Sequence, residues 1–436
     1  MGAPWRSLLA APAPFPLPVR VEAFPALAPV RVRYPRPRVD DIPRAVREEL
    51  DRLPAGDLRG RRVAVTAGSR GIARIPDILR AVVGWLRERG AEPVVVAAMG
   101  SHGGATSEGQ RALLAHLGIT EASVGAPVLT DMAVVEVGRT AGGMVAYCDA
   151  AAASCDAILV VNRIKPHTAF AGPFGSGLLK MMAVGLGKAP GAAQIHRQGP
   201  DRMAAAIEEL AGVLLARGRI LGGLAVVENA YDEVALLEAV PADRIPHRER
   251  ELYRRAQELL PRLPVDELDV LIVDRMGKDI SGTGMDVNVI GRWRLPGVPE
   301  PPAPRIRRIV CLRLSAASEG NAQGVGLADV VTRRLVDALD PVATYANAVT
   351  STYLERAFVP VTMPTDRDAI AAALASLATD PRQARVARIR STAHLEVLWV
   401  SEAVLPELRG RPDIEVGEPV PLAFTDDGTL AGVDDG

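Results

Sequence analysis

The chain has 436 residues, 48% of them hydrophobic and 24% charged, a composition of two or three globular domains that excludes a disordered or fibrous protein. Its formal net charge is −1, with arginines interspersed among Asp and Glu, which excludes the broad basic face of a nucleic-acid binder and favours a small-molecule ligand.

Residues 1–45 read as a proline-rich arm. The apolar run at 10–16 is broken by proline every few residues, so it makes neither a signal helix nor a membrane span, and a cytoplasmic protein without membrane contact is expected. Met1-Gly2 is followed by Arg6 where a myristoylation motif needs Ser or Thr. Cys148, Cys155 and Cys311 are odd in number and lack C-x-x-C spacing, so they read as reduced, packed thiols rather than a disulfide framework or a zinc site.

From residue 46, β-branched runs at 63–66, 94–99, 158–161 and 221–227 alternate with helical patterns at 76–89, 108–117 and 201–216. A charged helix at 248–260 ends at Pro261-Arg262-Leu263-Pro264, which sets a first α/β domain at 46–264 and a second at 265–436. The second carries strands at 270–273, 309–314 and 397–400, a proline-rich loop at 296–304, and helices near 327–339 and 366–378. Such alternation predicts an α/β fold with largely parallel sheets flanked by helices, whose ligands bind beyond the carboxyl ends of the strands.

Polar, glycine-punctuated loops follow those strands and hold half of the six histidines. Arg70, in Ala67-Gly68-Ser69-Arg70-Gly71, can grip a carboxylate through two parallel hydrogen bonds, with Ser69 as a further donor. His102, in Gly100-Ser101-His102-Gly103, and His167, in Lys165-Pro166-His167-Thr168, are two imidazoles on neighbouring strand ends, suited to proton exchange on the two faces of one carbon. Lys180, in Leu178-Leu179-Lys180-Met181-Met182, has apolar neighbours that should lower its pKa and make it a nucleophile or covalent anchor. His196, read within the first two turns of a helix opened by Pro190 or Gly191, can bind a transition metal. For each of these the plain alternative is a loop or helix residue with a purely structural role. In the second domain Lys278, in a glycine-rich loop, can bind a carboxylate or phosphate, and Asn321 and Gln323 can act as donors. No G-x-x-x-x-G-K-[ST], helix-opening G-x-G-x-x-G, G-x-S-x-G or H-E-x-x-H motif is present.

The order Ser-Arg, Gly-Ser-His-Gly, Pro-His, a glycine-rich stretch with Lys, then Pro-Gly and His resembles the nickel-dependent lactate racemase family of 2-hydroxyacid racemases and epimerases, over about 61–404. The resemblance implies an isomerase whose active site lies in an interdomain cleft. It also implies a nickel pincer nucleotide (nickel pyridinium-3,5-bisthiocarboxylic acid mononucleotide), tethered to Lys180 and coordinated by His196. His102 and His167 would then be acid and base, and Ser69, Arg70 and Lys278 would bind a small 2-hydroxy acid. Cofactor-building enzymes become expected partners. The His167-to-Lys180 spacing is longer than in the lactate racemases, with Lys165 and Lys188 as other candidate tethers, and the acidic residue before the family's arginine is replaced by Ala67 or Gly68, which suggests a divergent subgroup. Two other readings are a metal hydrolase with His102, His167 and His196 as ligands and Asp232 or Glu233 as base, and a hydroxy-acid binder without turnover.

Overall fold

The computed structural model describes residues 21, 23–168, 170 and 172–433, so the run at 10–16 lies outside it. The described residues form two compact units, one of residues 34–260 and one joining those before 34 to 261–433.

The expectation of a separate arm over 1–45 is corrected from residue 27 onward, and its first twenty residues lie outside the described residues. Leu27, Ala28, Val30 and Val32 are buried on β1 (Leu27–Val32), a strand of the second unit. Ile42–Leu50 is a helix of the first, α1, capped where Asp41 accepts the Arg44 N–H at 3.0 Å, with proline tolerated in its opening turn.

The first unit is built on a sheet of β2 (Arg62–Ala67), β3 (Glu92–Ala97), β4 (Val128–Leu129), β7 (Ala157–Arg163), β8 (Ile220–Glu228) and β9 (Val234–Pro241), in spatial order β4-β3-β2-β7-β8-β9. All pairs are parallel except β8 with β9. A hairpin of β5 (Val134–Arg139) and β6 (Val145–Asp149) stands apart from it. The central strands are apolar on both faces because both are covered. Val63, Val65, Val95, Leu159 and Val161 pack with α1, α2 (Ile75–Glu88) and α3 (Ser107–His116). Their alternates Ala64, Val94, Val96, Ile158 and Val160 pack with α4 (Lys188–His196), α5 (Met203–Ala216) and α6 (Ile245–Leu259).

The second unit has an eight-stranded sheet. Its order is β13 (Val361–Met363), β12 (Val330–Thr332), β11 (Arg305–Leu314), β10 (Glu267–Met276), β14 (Val386–Ser391), β15 (His394–Ser401), β1 and β16 (Ile414–Val416). β13 through β14 pair in parallel, and β15, β1 and β16 add antiparallel pairs. The helix expected near 327–339 is the three-residue strand β12 followed by the short helix Arg333–Asp337. Val330, Val331 and Thr332 are β-branched and buried between two strands, and the Thr332 hydroxyl then accepts the Leu335 N–H at 3.2 Å to start the helix. All three cysteines are buried and unpaired, with burial pushing the Cys148 and Cys311 thiols up to about 12. Among the described residues, no helix is long and apolar enough to cross a membrane.

Candidate active site

Three adjacent strands deliver the candidate residues. Ala67 on β2 pairs with Ala97 on β3, and Val65 with Leu159 on β7, so all three carboxyl ends leave one edge of the first unit's sheet. Ser69 and Arg70 follow the central strand, with His102 on one side and Lys165 and His167 on the other. The Ser69 hydroxyl and His102 Nδ1 share a short hydrogen bond. Gln110, fully buried on α3, fixes the histidine loop by donating to the carbonyls of Gly100 at 3.1 Å and His102 at 3.2 Å. The His167 ring stacks on buried Phe170, with centroids 4.5 Å apart and planes inclined by 24°.

The backbones of Lys165 and Ser176 exchange hydrogen bonds of 2.9 and 2.8 Å, closing the loop between them over buried Phe174. That closed loop absorbs the long His167-to-Lys180 spacing. The chain re-enters as a helical turn, Leu178–Lys180, and then a π-turn, Met181–Gly185, in which the Leu186 N–H reaches the Met181 carbonyl at 2.9 Å. Wide turns of this kind recur at functional sites. Gly185 packs so closely on β3's exit that a Cβ there would lie 2.7 Å from the Ala98 carbonyl oxygen, and a Cβ on Gly68 would meet Met181 Cε at 3.2 Å. The lysine turn thus lies against the loops of both Arg70 and His102.

The electrostatics single out three groups. Lys180 is half-buried, and lost hydration, then the charges of Arg70 and Lys165, pull its ammonium down to about 8. His196 is lowered first by burial and then by Lys180, and its Nδ1 is buried without a hydrogen-bond partner. Arg70 keeps an exposed surface, yet it too is lowered, first by lost hydration and then by Arg163. Arg163 is itself paired with Glu228 across the ends of β7 and β8. The groups acting on Arg70, Lys180 and His196 include no carboxylate, so the place is suited to an anion.

Several expectations are corrected. Lys188 is completely buried and its ammonium meets the Ala97 carbonyl, Gln110 Oε1 at 3.2 Å and Asp149 Oδ2 at 3.1 Å, so it is a structural cation rather than a candidate tether. The helix of His196 opens at Lys188, and His196 ends it rather than standing in its first two turns. Gln323 is buried and donates to the Tyr353 carbonyl at 3.2 Å. Lys278, in the second unit, donates to the Gly282 carbonyl at 2.8 Å and to Asn347 Oδ1 at 2.6 Å. Among the described residues no three His, Cys, Asp or Glu side chains group as a metal site, so His102, His167 and His196 do not form the hydrolase centre. Glu233 is engaged by Arg36 and Asn229, which hold its carboxyl down at about 2, far from a general base.

Sequence reasoning missed Gln110, Asn162 and Glu249, which hold the loops from behind. It also passed over a signal visible in the composition. Of 51 Lys and Arg residues only four are lysines, Lys165, Lys180, Lys188 and Lys278, and every one stands in a loop or helix start singled out above. Arginine stays charged, whereas lysine sheds its proton when desolvated and needs less room, so lysine persists where arginine cannot serve.

The fold has a likeness among solved structures. It is similar to the lactate racemase apoprotein from Thermoanaerobacterium thermosaccharolyticum, with a TM-score of 0.54 at 13% identity over 87% of this chain and 95% of that one. Residues 65–380 match the family described as a domain of unknown function, DUF362, and the chain belongs to that family. Among curated proteins, none matches the sequence.

Proposed function

We propose that the chain is a racemase or epimerase that inverts C2 of a 2-hydroxy acid, with a nickel pincer nucleotide held by Lys180 and His196. The observation that carries this reading is the pairing of a low-pKa lysine with a histidine whose buried Nδ1 has no partner. The donor chemistry fits the group: an amine near 8 is neutral often enough to be acylated, and a neutral imidazole is a nickel ligand. The lactate racemase likeness of the fold points the same way.

Inversion needs C2 to become planar, and the C2 hydrogen is too weakly acidic to leave as a proton. When bound, the nucleotide supplies reversible hydride acceptance. The protein does the rest. Arg70 binds the substrate carboxylate and fixes C2 in place. His102 and His167, on strand ends flanking Arg70, take the hydroxyl proton from one face and return it on the other. Ser69 engages His102 Nδ1, which directs Nε2 to the substrate.

The test is to produce the chain together with the cofactor-building enzymes, then measure intact mass, nickel content and the fate of single enantiomers of C2-deuterated hydroxy acids. A lysine-linked adduct, about one nickel per chain and loss of optical purity with deuterium kept at C2 are expected. Bare protein, or unchanged enantiomers across a broad panel, overturns the proposal, the latter in favour of a binder without turnover.

A further inference from the structure

We infer that Glu249, with Asn162 and Gly177, forms a clamp that positions the Lys180 turn; the inference rests on the role proposed for Lys180. Glu249 lies on α6 within the buried stripe of Ile245, Leu252, Tyr253, Ala256 and Leu259, where an apolar residue is the ordinary choice. It is completely buried, and a carboxyl group there is costly unless its position is used. Oε2 accepts the Leu179 N–H at 2.9 Å, and the Leu178 N–H also bonds to this carboxyl. These are the first two amides of the turn that ends in Lys180. Helix starts leave such N–H groups without intrahelical partners, and here a side chain seventy residues away in sequence caps them.

The residue before the turn is held from the opposite side. Asn162 on β7 donates from Nδ2 to the Gly177 carbonyl at 2.7 Å. A Cβ on Gly177 would land on Glu249 Oε1, so only glycine lets the carboxyl come this close. That second oxygen has no partner. Two elements of the first unit, α6 and β7, therefore grip three consecutive residues, 177–179, and leave Lys180 as the first residue free to face the ligand. Neither Glu249 nor Asn162 touches the reacting groups; both are positioning residues.

The experiment uses the scarcity of lysine. Reductive methylation of the full-length apoprotein with ¹³C-formaldehyde labels at most the four lysines and the amino terminus, and a K180R sample identifies the Lys180 signal. The clamp predicts that in folded E249A the displaced Lys180 methyl signal moves to the position of a solvated lysine, while E249Q, which keeps an acceptor oxygen of the same reach, restores it. Should E249A not fold, G177A carries the test, because its added methyl group must expel the carboxyl and should shift the same signal. An unmoved Lys180 signal in folded E249A or G177A, or E249Q behaving like E249A, overturns the clamp. Nucleotide attachment in the wild type is read separately by intact mass, so loss of the tether reading and loss of the clamp are distinguishable.

Discussion

Replacing Lys180 with methionine should stabilise the apoprotein. An ammonium whose pKa falls from 10.5 to about 8 in the folded chain is bound less well there than in water, by roughly 3 kcal/mol at about 1.4 kcal/mol per pH unit. The amine is half-buried rather than sealed, so solvent relieves part of that, and about 1 to 3 kcal/mol is expected for K180M at pH 7. The sign follows from proton counting. Below pH 8 the folded and unfolded chains both carry the proton and the cost is fully present, whereas between 8 and 10.5 the folded chain has lost it and the cost fades. Urea unfolding at pH 7 and pH 10, followed by tryptophan fluorescence with Trp85 reporting the first unit, measures both quantities. The gain should shrink to below about 1 kcal/mol at pH 10. A destabilised K180M, or a gain that does not depend on pH, would refute a desolvated cation at this position.

Other outcomes follow from the same geometry. H102N and H167N should each reduce racemisation roughly a hundredfold or more while intact mass still reports the adduct on Lys180. H196A should lose nickel in metal analysis yet keep the nucleotide, because the covalent link is through the lysine. Glu249 is raised by burial to about 8 from 4.5, so folding takes up a proton between those values and stability from this group falls as pH rises through the window. The difference in melting temperature between pH 5.5 and pH 8 should accordingly be larger for wild type than for E249Q, and equal differences would count against a buried, protonated carboxyl.

Much of this was legible in the chain. The first unit's central strands are apolar on successive residues because helices cover both faces, and that run is visible without a structure. The site loops were legible because His, Arg and Lys stand among glycines directly after such runs. Strands such as Val330–Thr332 were hidden because three residues carry no period, and only their neighbours in the sheet decide between strand and helix. Glu249 was hidden inside Arg248-Glu249-Arg250-Glu251, which reads as a solvated helix face. The spacing 245, 249, 252, 256, 259 would have placed it on the inward stripe had the charged run been sorted by face.

The pairing of Leu27 with Ser401 has a consequence for synthesis. β1 emerges from the ribosome before any of the first unit but has its partners, β15 and β16, near the end of the chain. Residues 34–260 hold all the strands of their own sheet and can fold while translation continues. The other sheet stays open until the last segment arrives, and an N-terminal deletion past Val32 would remove an interior strand from the half of the protein made last.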